Sequence, residues 1–375
     1  MDRQPSDRGM TALGAADPGT RLADSGRGHN RNIGPAGVSR VGTSPAGVVS
    51  RRVIEAARHL VATAEEDWRR VGHDPSSFIE VAARCLRGID AAGPTSILGR
   101  IGADELFAVA ATNEPLPAQH DPNSAFSDLA VTLASGSRCF VSLLFWSNGS
   151  TSIHEHRFSG AFRLLVGSSI HNRYRFTENR AHGPTLRTGT TELLDAETLS
   201  TDDVRPIVAG AEGAHALFHL DRPSVTLVLR TVHDRGSDPQ WEYWRGGLAT
   251  CADVGTEAAT RRARSLGFIL DTDPHAGVLL AERMLRQATV AETLRYLDVV
   301  AASLPPHLTT RFRSVAHSVH GDVVDQLCDS LEERSRILGL VRERAAAVDS
   351  GELRALGDEI FNPTQGSMRS RRPAP

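Results

Sequence analysis

Lysine is missing from the chain: all 42 basic side chains among its 375 residues are arginine. No chemistry requires that absence over a whole chain, so it reads as base-composition bias. It does exclude a GxxxxGK[ST] phosphate loop. There is no GxSxG nucleophile elbow and no HExxH helix either. Cysteine is scarce, with only Cys85, Cys139, Cys251 and Cys328, none in a CxxC pair. That argues against a disulfide framework or a thiolate zinc site and fits a reducing cytoplasm. No run of about 18 apolar residues exists, so no membrane span is expected. Met1–Gly47 lacks the apolar core of a secretion signal. Nor is one sign of charge in excess: 42 basic against 45 acidic side chains leave a net charge of −3. Such balance gives no global pull toward nucleic acid or a membrane surface.

What is present is ordinary globular composition, 40% hydrophobic and 23% charged, which excludes wholesale disorder. The length corresponds to about two to three domains' worth of chain. Residues 1–47 are Gly, Pro, Ser, Asp and Arg without apolar periodicity and read as a disordered tail. Residues 48–98 read as helices, with Val53, Ile54, Ala57, Leu60 and Val61 at helical spacing and Asp74-Pro75 as punctuation. From about Phe107 to Val232 the texture is short β-type runs between Gly, Asn, Asp and Pro clusters: Phe107–Ala111, Cys139–Trp146, Phe162–Val166, Ile170–Phe176, Thr191–Leu194 and Ser224–Thr231. Strands at that spacing predict a β-sandwich or barrel over 99–250. Residues 255–361 return to helical periodicity, from Ala258–Leu270 to Gly351–Ile360, and 362–375 form a second, basic disordered tail. The fold class expected is α+β: an antiparallel barrel flanked by N-terminal helices and a C-terminal all-α region.

One stretch carries chemistry. His154 and His156 in Ile153-His-Glu-His-Arg157 are two apart, and in an extended segment side chains at i and i+2 leave the same face. Their Cα atoms would lie about 7 Å apart, so both imidazoles can reach one metal ion while Glu155 points away. Fifty-nine residues after His156 comes Gly213-Ala-His215-Ala-Leu-Phe-His219, leading into the strand Ser224–Thr231. An antiparallel barrel can return such a cluster to the first pair. His317 and His320, at i and i+3 of a helix, read instead as a solvated face.

Thr151–Gly167 with Gly213–Arg230 resembles the two signature motifs of the cupin superfamily, and within it the cysteine dioxygenase-like thiol dioxygenases. The resemblance covers about a quarter of the chain. The first cupin motif has a Glu where Gly160 or Ala161 stands here, and the loss of that Glu is similar to what thiol dioxygenases show. The resemblance implies a cupin-type barrel (a double-stranded β-helix) with His154, His156 and His215 as ligands to a non-heme Fe(II), Zn, Mn or Ni being the other candidates. His219 stands where the second motif usually has Asn, and is either a donor beside the metal or a ligand in place of His215. The family's outer His and Tyr fall here at Val228 and Arg230, which puts cysteine itself in doubt as substrate. Arg230 or Arg163 is then a candidate contact for a substrate anion. Tyr174 is a candidate proton donor if it leans into the cavity. His171 reads as a surface histidine.

The activity implied is oxidation of a small polar molecule, with a thiol as one candidate, by O2 in the cytoplasm. Two other readings stay open. One is an isomerase or lyase using another divalent metal on the same barrel. The other is a non-enzymatic sensor of a metal or ligand that signals through its helical region. The expected partners are the small-molecule substrate and O2, without nucleic acid or membrane, and a homodimer through the barrel edge is left open.

Overall fold

The computed structural model describes residues 45–120, 127–147, 151–232, 234, 239–251 and 257–346. Residues 1–44 of the tail expected at 1–47, the tail expected at 362–375 and the helix expected at Gly351–Ile360 lie outside these residues.

Helix α1 (Pro45–Arg70) begins three residues before the expected boundary. α2 (Pro75–Arg87) starts where the Asp74 carboxylate accepts from the Ser77 N–H at 3.1 Å, with Pro75 in the first turn. α3 (Ala103–Ala110) replaces the strand expected at Phe107–Ala111. The reason lies upstream: Gly102 N–H donates to the Glu105 carboxylate at 3.0 Å, and Leu106 and Val109 bury one face at helical spacing.

Eleven strands follow among the described residues. β1 (Leu129–Ser135), β2 (Cys139–Trp146), β4 (Gly160–Val166), β7 (Val204–Ile207) and β9 (Ser224–Thr231) form an open antiparallel sheet in the order β1-β2-β9-β4-β7. β3 (Ile153–His154), β5 (Ser169–Ala181), β6 (Leu186–Leu199), β8 (His215–His219), β10 (Trp241–Trp244) and β11 (Leu248–Cys251) form a second, in the order β10-β11-β6-β5-β8-β3. The pairings of this sheet run in a ring, because β3 also meets β10, at Glu242↔His154 and Tyr243↔Ile153. The expected single barrel is therefore corrected to two sheets. β7 leaves one edge of the first open, and β3, only two residues long, carries the return in the second. Trp241, Tyr243 and Trp244 are part of β10.

Alternation sorts the residues of the first sheet. Val225, Leu227 and Leu229 of β9, with Val141 and Leu143 of β2, pack under α1–α3 in one core cluster. Phe162, Leu164 and Val228 face the other way and meet Phe158, Leu199, Ile207 and Leu217 between the sheets. The far face of the second sheet carries Ile170, Tyr174, Phe218, Trp241 and Tyr243. Five helices follow among the described residues: α4 (Glu257–Thr272), α5 (Pro274–Gln287), α6 (Val290–Ser303), α7 (Pro306–His320) and α8 (Val323–Ala346). Ile337 and Leu340 of α8 pack on that far face. The Gln326 amide of α8 also donates to the carbonyls of Gly189, Gly246 and Gly247 at 3.0–3.2 Å, tying the helices to β6 and the β10–β11 turn. No helix among the described residues is long and apolar enough to cross a membrane.

Candidate metal centre

Between the sheets the apolar lining gives way to imidazoles. His154 ends β3 and pairs directly with His215 at the start of β8, so both side chains leave on one face. His156 follows two residues after His154 and bridges to Ala209. The three rings meet with centroids 4.6–5.0 Å apart, and one nitrogen from each lies within 4.8 Å of the other two. His156 Nε2 is 2.9 Å from His215 Nε2. Two nitrogens at that separation can both bond one ion at the usual ~2.0–2.1 Å.

Two of the three outer nitrogens have partners. His154 Nδ1–H donates to the Ser152 carbonyl at 2.9 Å, which leaves Nε2 as the nitrogen with the lone pair. His215 Nδ1 is 3.0 Å from His171 Nε2, and His171 Nδ1 is 3.1 Å from a Glu197 oxygen. Arg205 grips both oxygens of Glu197 at 2.7 Å. Burial pushes His154 down to about 4, and holds His156 and His215 well below the usual histidine range. Neutral imidazoles are the form in which histidine binds metal. Neutral and convergent, two of them buried with outer nitrogens held by partners and the third half-buried, the three residues fit a divalent ion.

Gly160 explains why no carboxylate joins them. A Cβ there would stand 2.3 Å from the Leu229 carbonyl and 2.8 Å from Arg230 Cα, so the tight β4–β9 pairing admits no side chain. Glu155 points to the opposite face, where it accepts a hydrogen bond from the Tyr243 hydroxyl.

The remaining sequence candidates divide. Arg230 reaches the same interior: its guanidinium lies 3.8 Å from the Phe158 ring centre and 4.6 Å from that of Phe140, and its charge helps to depress His156. His219 is four residues along β8 from His215, stacked on Trp146 at 4.4 Å, with Nδ1 2.8 Å from Ser169 Oγ and 3.1 Å from Ser224 Oγ. It stands outside the three-histidine group, which corrects its reading as an alternative ligand. Tyr174 packs on the far face of the second sheet, because β5 turns Ile170, Asn172 and Tyr174 away from the face that carries His171. Its expected approach to the site is overturned. Arg163 lies on the helix-covered face of the first sheet, bound to Asp90, Asp202 and the Leu86 carbonyl, and so has no access to the site. His171, read as a surface residue, is buried beside His215. It and Glu197 are what sequence reasoning missed, since only the register His171↔Glu197 and His171↔Leu217 brings them together.

No family model and no curated protein matches the chain. Solved structures do match, at low scores. A DMSP lyase from Ruegeria pomeroyi DSS-3 aligns at 14% identity and TM-score 0.20, over 30% of this chain and 49% of that one. This chain thus spans about half of that relative. A hydroquinone 1,2-dioxygenase from Sphingomonas sp. TTNP3 aligns at 9% identity and TM-score 0.23, over 29% and 69%. A cupin superfamily protein from Desulfitobacterium hafniense DCB-2 aligns at 19% identity and TM-score 0.20, over 32% and 95%. Likeness this slight carries no argument about activity, which rests on the site itself.

Proposed function

We propose that the chain is a metal-dependent enzyme of cupin type whose His154, His156 and His215 hold Fe(II) for O2-dependent oxidation of a small polar substrate. The observation that carries this reading is the convergence of three neutral imidazoles, two buried and one half-buried, with no carboxylate among the described residues in the group, two of their nitrogens 2.9 Å apart. Three imidazoles without a carboxylate would hold the ion and leave its other positions to substrate and O2. When bound, the ion supplies Lewis acidity and one-electron chemistry with O2.

The chain's own groups do the rest. The histidines contribute no charge, so the centre attracts an anionic donor such as a thiolate. Phe158, Phe162 and Leu217 line the interior and exclude water. Arg230, held between the Phe140 and Phe158 rings beside His156, orients an anionic group of the substrate. A half-buried guanidinium is suited to a carboxylate, which it meets in a two-pronged fork. Val228 at the family's outer-histidine position supplies no proton, so cysteine is disfavoured against other small thiols or chelating anions.

Metal analysis of the purified chain, with O2 uptake measured against a panel of thiols and small chelating acids, tests the proposal. One iron per chain and substrate-dependent O2 uptake are expected. Stoichiometric zinc with no O2 consumed by any substrate overturns it.

A further inference from the structure

Behind the three-histidine group lies a chain of contacts that leads outward. It runs from His215 on β8 to His171 on β5, Glu197 on β6 and Arg205 on β7, crossing from the second sheet to the edge of the first. Its direction follows from the chemistry of its outer end. Glu197 carries Arg205 on both oxygens, which pulls its carboxyl down to about 2. An ionised carboxylate accepts and never donates. His171 must therefore donate through Nδ1. A neutral imidazole has only one N–H, so His171 Nε2 is an acceptor. His215 Nδ1, 3.0 Å away, must then be the donor, and the lone pair of His215 falls on Nε2, the nitrogen that faces His156.

We propose that His171 and Glu197 are positioning residues for the third ligand, holding His215 in the tautomer that turns its Nε2 lone pair into the three-histidine group. His154 receives the same service from the Ser152 carbonyl, a backbone acceptor that no substitution of Ser152 removes. His215 depends instead on side chains, and its orientation is set from outside the site. Arg205 and Glu197 are each about a quarter to a third exposed, so the outer end of the relay meets solvent while its inner end is buried. Outer partners of metal-bound histidines typically carry about 10–100-fold in affinity.

The inference rests on the metal-centre reading, and two readouts keep the two apart. In the metal-free chain labelled with 15N-histidine, two-bond 1H–15N NMR reads the tautomer of His215 directly. Co(II) affinity, measured by competition with a chromophoric chelator, reads the consequence. The unsubstituted chain should show His215 protonated at Nδ1. Glu197→Ala removes the final acceptor, so His171 can turn its proton to Nε2 and His215 should become a mixture of tautomers, with Co(II) affinity about 10–100-fold lower. His171→Gln, whose amide oxygen can still accept from His215 Nδ1–H, should recover most of the affinity. Glu197→Leu, which keeps the bulk but has no acceptor, is measured alongside in case Glu197→Ala does not fold. An unchanged His215 tautomer and unchanged Co(II) affinity in the folded glutamate variants overturn the inference, even if His215→Ala abolishes binding. A native chain that binds no Co(II) overturns the metal-centre reading, while the NMR readout still decides whether His171 and Glu197 set the tautomer.

Discussion

The two faces of the five-stranded sheet bury polar side chains in opposite ways. On the face under α1–α3 the largest buried polar group is Arg163, only 1% exposed. Asp90 accepts from it at 2.8 Å through both oxygens, Asp202 accepts from the same nitrogen, and the Leu86 carbonyl accepts at 3.0 Å. That charge is answered by the chain itself, and the contact ties β4 to α2 and to the turn after β6. On the opposite face, the second sheet presents imidazoles between the sheets that burial keeps neutral and that turn toward one another. A polar group answered within the chain fixes architecture; lone pairs aimed at one point make a place for something else.

Removing a nitrogen from the second face gives the largest expected effect. His156→Ala should cost more than the about 100-fold in metal affinity that the loss of an outer partner can bring. The metal-free chain should melt within a few degrees of the unsubstituted one, as read by metal analysis and thermal unfolding. Retained stoichiometric metal would erase the distinction between the faces. The first face should respond in the reverse sense. Asp90→Ala with Asp202→Ala leaves the buried Arg163 without either carboxylate; both carboxylates are more than half exposed, so the expected loss is about 1–3 kcal/mol, the usual cost of an unsatisfied buried group. Urea unfolding should show that loss while the metal content of the folded protein is unchanged.

How much of this could be read from the sequence follows the range of the signal. The HxH at 154 and 156 is legible because i and i+2 share a face in any extended segment. The runs Cys139–Trp146 and Ser224–Thr231 coincide with β2 and β9 because continuous apolar stretches between turn residues hide little. What depends on register was not legible. His171 looks like one more strand histidine until β5 lies between β6 and β8, opposite Glu197 and diagonal to His215. Tyr174 was misplaced for the same reason, since a strand read alone does not say which face is inward. The helix at Ala103–Ala110 was missed because Phe107–Ala111 is too short to show a period, and the deciding contact, Gly102 to Glu105, precedes it.

Acid should separate the faces next. His154 is held at about 4 by burial, against its ordinary 6.5. Between those values the unfolded chain binds a proton that the folded chain refuses, so protonation favours unfolding. Stability should be at its full value above about pH 6.5 and decline as pH falls toward 4. His156 and His215, shifted in the same direction, steepen the decline. Urea midpoints measured across that range should flatten in His154→Ala. An equally steep profile in that variant would mean that the titration belongs elsewhere.

The smallest expected effect comes from a group that resembles the buried site only in its residue types. His317, Asp322 and Asp325 also bring three ligand atoms within 4.8 Å of one another. Here, however, His317 is 45% exposed and Asp322 fully so, and the Arg313 guanidinium already donates to Asp325 at 2.8 Å. Water and arginine satisfy these groups without an ion. Exposed pairs of this kind contribute little, so His317→Ala should change stability by no more than about 0.5 kcal/mol and leave the metal content of the chain as it was. If that substitution removed a bound ion, burial and acceptor-held nitrogens would not be what sets the inter-sheet histidines apart.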